Sequence, residues 1–423
     1  MTARSLALDV LNKCTLSEQY SNIALDTALR RCDLNAADRA LVTALVYGVL
    51  ERGITLDYQI DSLYTRKDRE LQPDTRNLLR LGLFQLAYLD RIPDHAAVNE
   101  TVALAPRRTK GLVNAVLRSF LRRNKELLYP DASREPIEYL SIRYSFLPAI
   151  CRRFLKDYGF ARTESLLSAF CVQPPLTLRV NTLRITKEEL LRQLTAAGYT
   201  PKNTAESSVG LTLSGASVTT LPGFEEGWFF VQDEASQLCV AALDARAGMR
   251  VLDACACPGS KSFGAAIDMN NHGKLIACDL HANKLSLIQS GAGRLGISII
   301  ETEARDARLA KEEWNGTFDR VLCDVPCSGF GVFAKKPELR YKDPEKSAAL
   351  PKIQLDILNN AAAFVKQGGR LVYSTCTLLP AENGANVRTF LETHRDFTLL
   401  CERTLYPDTD ATDGFYFAVL QKN

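Results

Sequence analysis

The chain has 423 residues, 46% of them hydrophobic and 24% charged, with a formal net charge of +3. At ~100–200 residues per domain this is a globular protein of about two to four domains, and a disordered, collagen-like or small disulfide-stapled chain is excluded. No apolar run approaches the ~18 residues of a membrane span. The opening MTARSLALDVLNK has no apolar block followed by a small-residue cleavage site, so a cytoplasmic protein without a membrane partner is expected.

The first part of the chain reads as helical. AADRALVTALVYGVLE places Leu41, Val42, Leu45, Val46 and Val49 at helical spacing, and TRNLLRLGLFQLAYLD and DHAAVNETVALA repeat the pattern around Pro93. In KGLVNAVLRSFLRRNK, Val113, Val116, Leu117, Phe120 and Leu121 form one apolar stripe. Arg118, Arg122 and Lys125 are expected on the opposite side of that helix. They belong to a basic segment, Arg107, Arg108, Lys110, Arg118, Arg122, Arg123 and Lys125, that contains no acid. Such a segment suits either a solvated face or a polyanionic partner, and residues 1–140 are expected to be a compact helical bundle.

After Tyr129-Pro130-Asp131 the pattern becomes mixed. PLTLRVNTLRI, VGLTLSG and GWFFVQ read as strands and TKEELLRQLTAAGY as a helix, which predicts a small α+β module over 141–235. VQDEASQLCVAALDA then reads as a helix leading into a third domain, 236–423. Here the short apolar strands RVLDAC, KLIACDL, ISIIETEA, DRVLCDV and GRLVYSTC alternate with helical segments, the signature of a parallel doubly wound α/β sheet.

In such a sheet ligands bind at the carboxyl ends of the strands. The first strand leads into Asp253-Ala254-Cys255-Ala256-Cys257-Pro258-Gly259-Ser260-Lys261. Asp279 ends the second, Asp306 follows the third, and the fourth and fifth end in Asp324-Val325-Pro326-Cys327 and Ser374-Thr375-Cys376. Core packing gives no reason for acids and thiols at successive strand ends. The first turn lacks both the P-loop order and GxGxxG, which leaves S-adenosylmethionine as the nucleotide candidate. Asp279 is then expected on its ribose, whereas Asp306 could merely cap a helix. Lys261 sits at a helix start, where a cation is unfavourable, which favours a functional contact. Of the twelve cysteines no two are separated by two residues, and the four histidines do not cluster, so no metal site is expected. Cys239, Cys278 and Cys323 fit buried, inert positions.

DACACPGSK, DVPCSGFG and STCTLLPAEN together resemble the RNA cytosine-C5 methyltransferases of the Sun group. The likeness extends from VQDEASQL to DGFYFAVLQK. LRVNTLR resembles that family's preceding RNA-binding module, and the helical N-terminal part resembles NusB, an RNA-binding fold. Ser260, Cys257, Phe330 and Ala334-Lys335-Lys336-Pro337 depart from the usual pattern.

The resemblance implies a NusB-like bundle, a small RRM-like α+β module and a Rossmann-like domain. It implies S-adenosylmethionine at the 255–261 turn (Cys255, Ala256, Cys257, Pro258, Gly259, Ser260, Lys261) with Asp279, Asp306 and Asp324. The implied partner is RNA, most simply 16S rRNA or the small-subunit precursor at a cytosine-967 type of site, with no obligate protein partner. The chemistry is covalent: a thiolate adds to C6 of the base and makes C5 nucleophilic. The resemblance assigns attack to Cys376, release of the adduct to Cys327 and contact with base and cofactor to Asp324. Methylation of tRNA or another rRNA, a catalytically silent RNA-binding or assembly factor, and a DNA-type enzyme in which Cys327 attacks are the alternatives.

Overall fold

The computed structural model describes residues 2–17, 21–64 and 70–423, which form two units: residues up to 171 with 336–344, and 172–335 with 345–423. Among the described residues the first unit is helical: α1 (Ala3–Ser17), α2 (Ser21–Arg30), α3 (Ala36–Glu51), α4 (Gly53–Leu63), α5 (Pro73–Tyr88), α6 (Asp94–Leu104), α7 (Lys110–Arg122), α8 (Pro136–Tyr144) and α9 (Pro148–Ala169). Leu45, Val46, Leu56, Leu79, Leu117 and Phe120 are fully enclosed in its core. α3 begins where the Asn35 side chain accepts from the Asp38 N–H at 2.8 Å, a standard N-cap. α3 and α5 approach so closely that a Cβ on Gly48 would meet the Phe84 ring at 1.9 Å.

α7 buries Val113, Val116, Leu117 and Phe120, as its periodicity predicts, and exposes Arg118 and Arg122. Lys125 departs from expectation. The helix stops at Arg122, Asn124 and Lys125 take positive φ, and Lys125 Nζ pairs with Asp94 at 2.6 Å. Arg123 also turns inward, donating to Gln59 Oε1 and Ser62 Oγ. The outward cations of the segment are therefore Arg107, Arg108, Lys110, Arg118 and Arg122.

Residues 336–344 belong to this first unit although they lie far along the chain. Arg340, 1% exposed, donates to the carbonyls of Phe170 (2.6 Å), Glu51 (3.1 Å) and Tyr144 (3.2 Å). Its own carbonyl accepts from Leu147 N–H at 3.0 Å. A guanidinium suits this place because its planar fork serves several acceptors at once.

The second unit opens with β1 (Leu176–Val180), α10 (Lys187–Ala196), β2 (Lys202–Asn203), β3 (Gly210–Leu213) and β4 (Phe229–Val231), whose strands form an antiparallel sheet in the order β2-β3-β1-β4. Then come α11 (Glu234–Leu243), β5 (Arg250–Asp253), α12 (Ser260–Asp268), β6 (Lys274–Asp279), α13 (Leu285–Leu295), β7 (Ile300–Ala304), β8 (Phe318–Asp324), α14 (Leu350–Phe364), β9 (Val365–Thr375), α15 (Gly384–Thr393), β10 (Phe397–Leu405) and β11 (Phe415–Lys422). The large sheet runs β10-β11-β9-β8-β5-β6-β7; β5 through β9 are parallel, and β11 is antiparallel to both its neighbours.

The strand order runs outward from β5 in one direction through β6 and β7, and from β8 in the other through β9. The β5/β8 boundary is thus the switch point, where an open α/β sheet leaves a crevice beyond its carboxyl ends. The two sheets are joined through a buried cation: Arg179 of β1, 2% exposed, reaches Asp268 Oδ1 at 2.6 Å and the Gly264 carbonyl at 3.3 Å, both on α12.

Candidate active site

The parallel register places Asp324 beside Ser374 and Asp253 beside Leu322, so β5, β8 and β9 end side by side at the switch point. The turn after β5 closes on Gly259, whose φ of +110° is open to glycine and strained for other residues. A Cβ there would also meet the Phe263 ring at 2.6 Å. Ser260 has no positive φ, so a serine fits at that position without backbone strain. Its carbonyl accepts from Gln232 Nε2 at 3.0 Å, which pins the start of α12.

Lys261, in the first turn of α12, is buried and its ammonium meets Asp324 Oδ2 at 2.6 Å. The other Asp324 oxygen accepts from Ser374 Oγ at 2.8 Å. Burial opposes the Lys261 charge, but the Asp324 carboxylate outweighs it and holds the ammonium's pKa above its usual value. Asp253, 1% exposed, accepts from Ser262 Oγ at 2.6 Å through Oδ2, while Oδ1 lacks a hydrogen-bond partner among the described residues. Burial pushes its pKa up to about 7, with the Asp324 charge adding to the rise and Ser262 and Lys261 opposing it.

Cys327 and Cys376 come together. Their Sγ atoms lie 3.0 Å apart, and both residues are half-buried. The loops that carry them are tied at several points: Ser328 Oγ to Thr377 Oγ1 at 2.8 Å, and Gly331 N–H to the Cys376 carbonyl at 3.0 Å. The Gly331 carbonyl accepts from Gly414 N–H at 2.8 Å, and a Cβ on Gly331 would strike the Gly414 carbonyl oxygen at 1.8 Å. The hydrogen bond to Cys376, with burial behind it, raises the Cys327 pKa well above the ordinary thiol value. Phe330, where the sequence pattern is unusual, is fully enclosed and packs on Phe333.

The remaining sequence-nominated residues divide. Asp279 is half-exposed at the end of β6, and its Oδ1 accepts from His281 N–H at 2.9 Å. Asp306 is held in a local turn by Arg308, through its N–H at 2.9 Å and its guanidinium at 2.6 Å, which lowers its pKa to about 2. Cys255 and Cys257 flank buried Ala256 in the turn, and burial raises both thiols, as it does Cys239 and Cys278, each up to about 12, and Cys323. Pro258 stands exposed beside Gly259.

Sequence reasoning missed two groups. Lys335 Nζ, in the segment that follows Cys327, bridges Asp233 (2.6 Å) and Asp413 (2.7 Å). Glu382 accepts from the Ser328 N–H at 2.9 Å. The PAEN string after Cys376 was the available signal for Glu382; the three members of the Lys335 cluster share no spacing that could reveal them.

Comparison with known proteins covers the whole chain. The profile of the 16S rRNA methyltransferase RsmB/F family matches residues 240–421, the NusB family matches 1–122, and the ferredoxin-like domain of RsmF/B-like methyltransferases matches 150–219. A probable ribosomal RNA small subunit methyltransferase B from Bacillus subtilis is 38% identical over 100% of this chain and 99% of that protein. A like-named Synechocystis protein is 36% identical over 100% of each chain, and the Vibrio cholerae ribosomal RNA small subunit methyltransferase B is 34% identical over 100% and 98%. Among solved structures, PH0851 aligns over 100% of this chain and 99% of its own, with a TM-score of 0.81 at 27% identity. A methyltransferase homologue from Pyrococcus horikoshii aligns over 68% and 99%, with a TM-score of 0.60 at 26% identity.

Proposed function

Because the chain belongs to the ribosomal RNA small subunit methyltransferase B family, we propose that this S-adenosylmethionine-dependent enzyme methylates C5 of a cytosine in 16S rRNA, at the 967 type of site, through a covalent cysteine adduct. It acts in the cytoplasm on naked rRNA or the small-subunit precursor. Among the described residues no helix is long and apolar enough to cross a membrane. In this reading residues 1–140 and the module over 141–235 hold the RNA, and 236–423 perform the chemistry. The exposed cations of α7 are placed to meet phosphates, which position a nucleic acid without reading its bases.

The turn after β5 fits S-adenosylmethionine. The unpartnered Asp253 Oδ1 and the half-exposed Asp279 offer acceptors to a ligand rich in hydroxyl and ammonium donors. Residues 255–261, Asp279, Asp306 and Asp324 are the residues that would hold it, and when bound it supplies the methyl group as a sulfonium.

The chain's own residues divide the remaining work. Cys376 adds to C6 of the cytosine, so that the ring becomes electron-rich at C5. Asp324, fixed between Lys261 and Ser374, faces the base at N3 and hydrogen-bonds to it or protonates it as negative charge develops on the adduct, taking the proton back when that charge is lost. Cys327 helps to break the Cys376–C6 bond once the C5 proton has left, and so releases the adduct.

The observation that carries this reading is the 3.0 Å approach of two thiols beside a lysine-paired carboxylate at the switch point. The test is a denaturing gel with labelled substrate RNA and S-adenosylmethionine. Cys327→Ala should trap a slow-migrating protein–RNA species and Cys376→Ala should give none. A band in Cys376→Ala alone would exchange the two roles. Bands in neither variant would favour an RNA binder without this chemistry.

A further inference from the structure

The segment that follows Cys376 contains an acid with no part in the steps above. Glu382 is 2% exposed. Its Oε2 accepts from the Ser328 N–H at 2.9 Å and from Gln354 Nε2 at 2.7 Å, whereas Oε1 has no hydrogen-bond partner among the described residues. Burying a carboxylate with one oxygen unsatisfied is costly, and a native protein that tolerates it needs a reason.

The neighbours supply one. Ser328 is the residue after Cys327, and Gln354 also donates to the carbonyl of Pro326, the residue before it, at 2.9 Å. Both backbone flanks of Cys327 thus converge on the Glu382–Gln354 pair. On the other thiol, Asn383 accepts from Thr375 Oγ1 at 2.6 Å and donates to the Thr377 carbonyl at 2.9 Å, holding both flanks of Cys376. Adjacent residues of one short segment, Glu382 and Asn383, therefore clamp the two thiol loops against each other.

We infer that Glu382 is a positioning residue that sets the Cys327 loop against the Cys376 loop, so that the two touching thiols take different roles. This inference rests on the two-thiol reading above. Among the described residues, the titratable groups that act on Cys327 include Cys376, Glu382 and Tyr373. The Cys376 contact first, then burial, and after them the Glu382 carboxyl group raise the Cys327 thiol above its ordinary pKa. Tyr373 donates its hydroxyl to the Glu382 backbone carbonyl at 2.5 Å, so it orients the segment and contributes no charge. A thiol pair without this bias would share the thiolate between two sulfurs and divide the attacking nucleophile.

The test needs no RNA, so it fails or succeeds independently of the substrate assignment. The full chain is alkylated with iodoacetamide from about pH 6 to 10, and modification at each cysteine is read by peptide mass spectrometry. Glu382→Gln keeps the size of the side chain and removes its charge. Alkylation at Cys327 should become faster near pH 8 by more than about threefold, because more of it is then thiolate. Gln354→Leu removes a donor and keeps the charge, so Cys327 should stay within about twofold of the parent rate. An unchanged Cys327 profile in Glu382→Gln would overturn the inference. Equal acceleration in both variants would also overturn it, because loosened packing would then be the cause.

Discussion

Asp253 makes the second unit's stability depend on pH in a direction opposite to that of most carboxylates. Its pKa is about 7 in the folded chain against ~3.9 when solvated. The folded state therefore holds this proton over a range where the unfolded chain has released it. Its contribution is complete below about pH 4, and it falls away as pH rises to 7, where the buried carboxylate must ionise. Three pKa units at ~1.4 kcal/mol each set an upper bound of ~4 kcal/mol on the penalty at pH 8. Lys261 and Ser262 are already included in that shift, and relaxation around the charge reduces it further, so ~1–3 kcal/mol is expected. Asp253→Asn keeps the shape and an acceptor for Ser262 but cannot ionise. It should match the parent below about pH 4 and exceed it by that amount near pH 8. Both tryptophans, Trp228 and Trp314, lie in the second unit, so their fluorescence during urea unfolding reports this unit alone. A stability difference between the two proteins that stays constant from pH 5 to 8 would refute the account.

Removing Arg340 withdraws a charged donor from three carbonyls in the first unit. Arg340→Ala should cost that unit ~3 kcal/mol or more, and a loss below ~1 kcal/mol in the helical unfolding transition would contradict the packing described. Asp279→Ala should weaken S-adenosylmethionine binding by ~1.5–3 kcal/mol; titration calorimetry showing unchanged affinity in a folded variant would remove Asp279 from the site. Replacing Arg118 and Arg122 by alanine should weaken rRNA binding and lower the salt slope by ~0.7–0.9 for each phosphate no longer neutralised, whereas an unchanged slope would leave both residues on a merely solvated face.

How far the molecule can be read from its sequence depends on the range of the interaction. Apolar periodicity is local, so the buried stripe of α7 and the βαβ alternation were legible. The end of α7 was not, because a switch to positive φ at Asn124 and Lys125 follows from packing and the Asp94 pair rather than from a breaker residue. Acids and thiols at successive strand ends could be grouped because a parallel sheet brings those ends together whatever lies between them. Burial was not legible: nothing in DACACPGSK says that Asp253 is shut away from water while Asp279 stays open to it. Nor could spacing connect Asp233, Lys335 and Asp413, which meet only once β11 lies beside β9.

The excursion of residues 336–344 into the first unit bears on how the chain is made. A ribosome working at ~5–20 residues per second delivers Cys171 ~10–30 s before Arg340. Throughout that interval water must serve the carbonyls of Glu51, Tyr144 and Phe170. The N-terminal unit therefore emerges first but is completed late, after β8 and the Cys327 loop have been synthesised. Vectorial synthesis usually lets an N-terminal domain mature alone, and here it does not. A nascent chain stalled before Lys336 should present the helical unit in a looser, more protease-sensitive form than one stalled after Pro344.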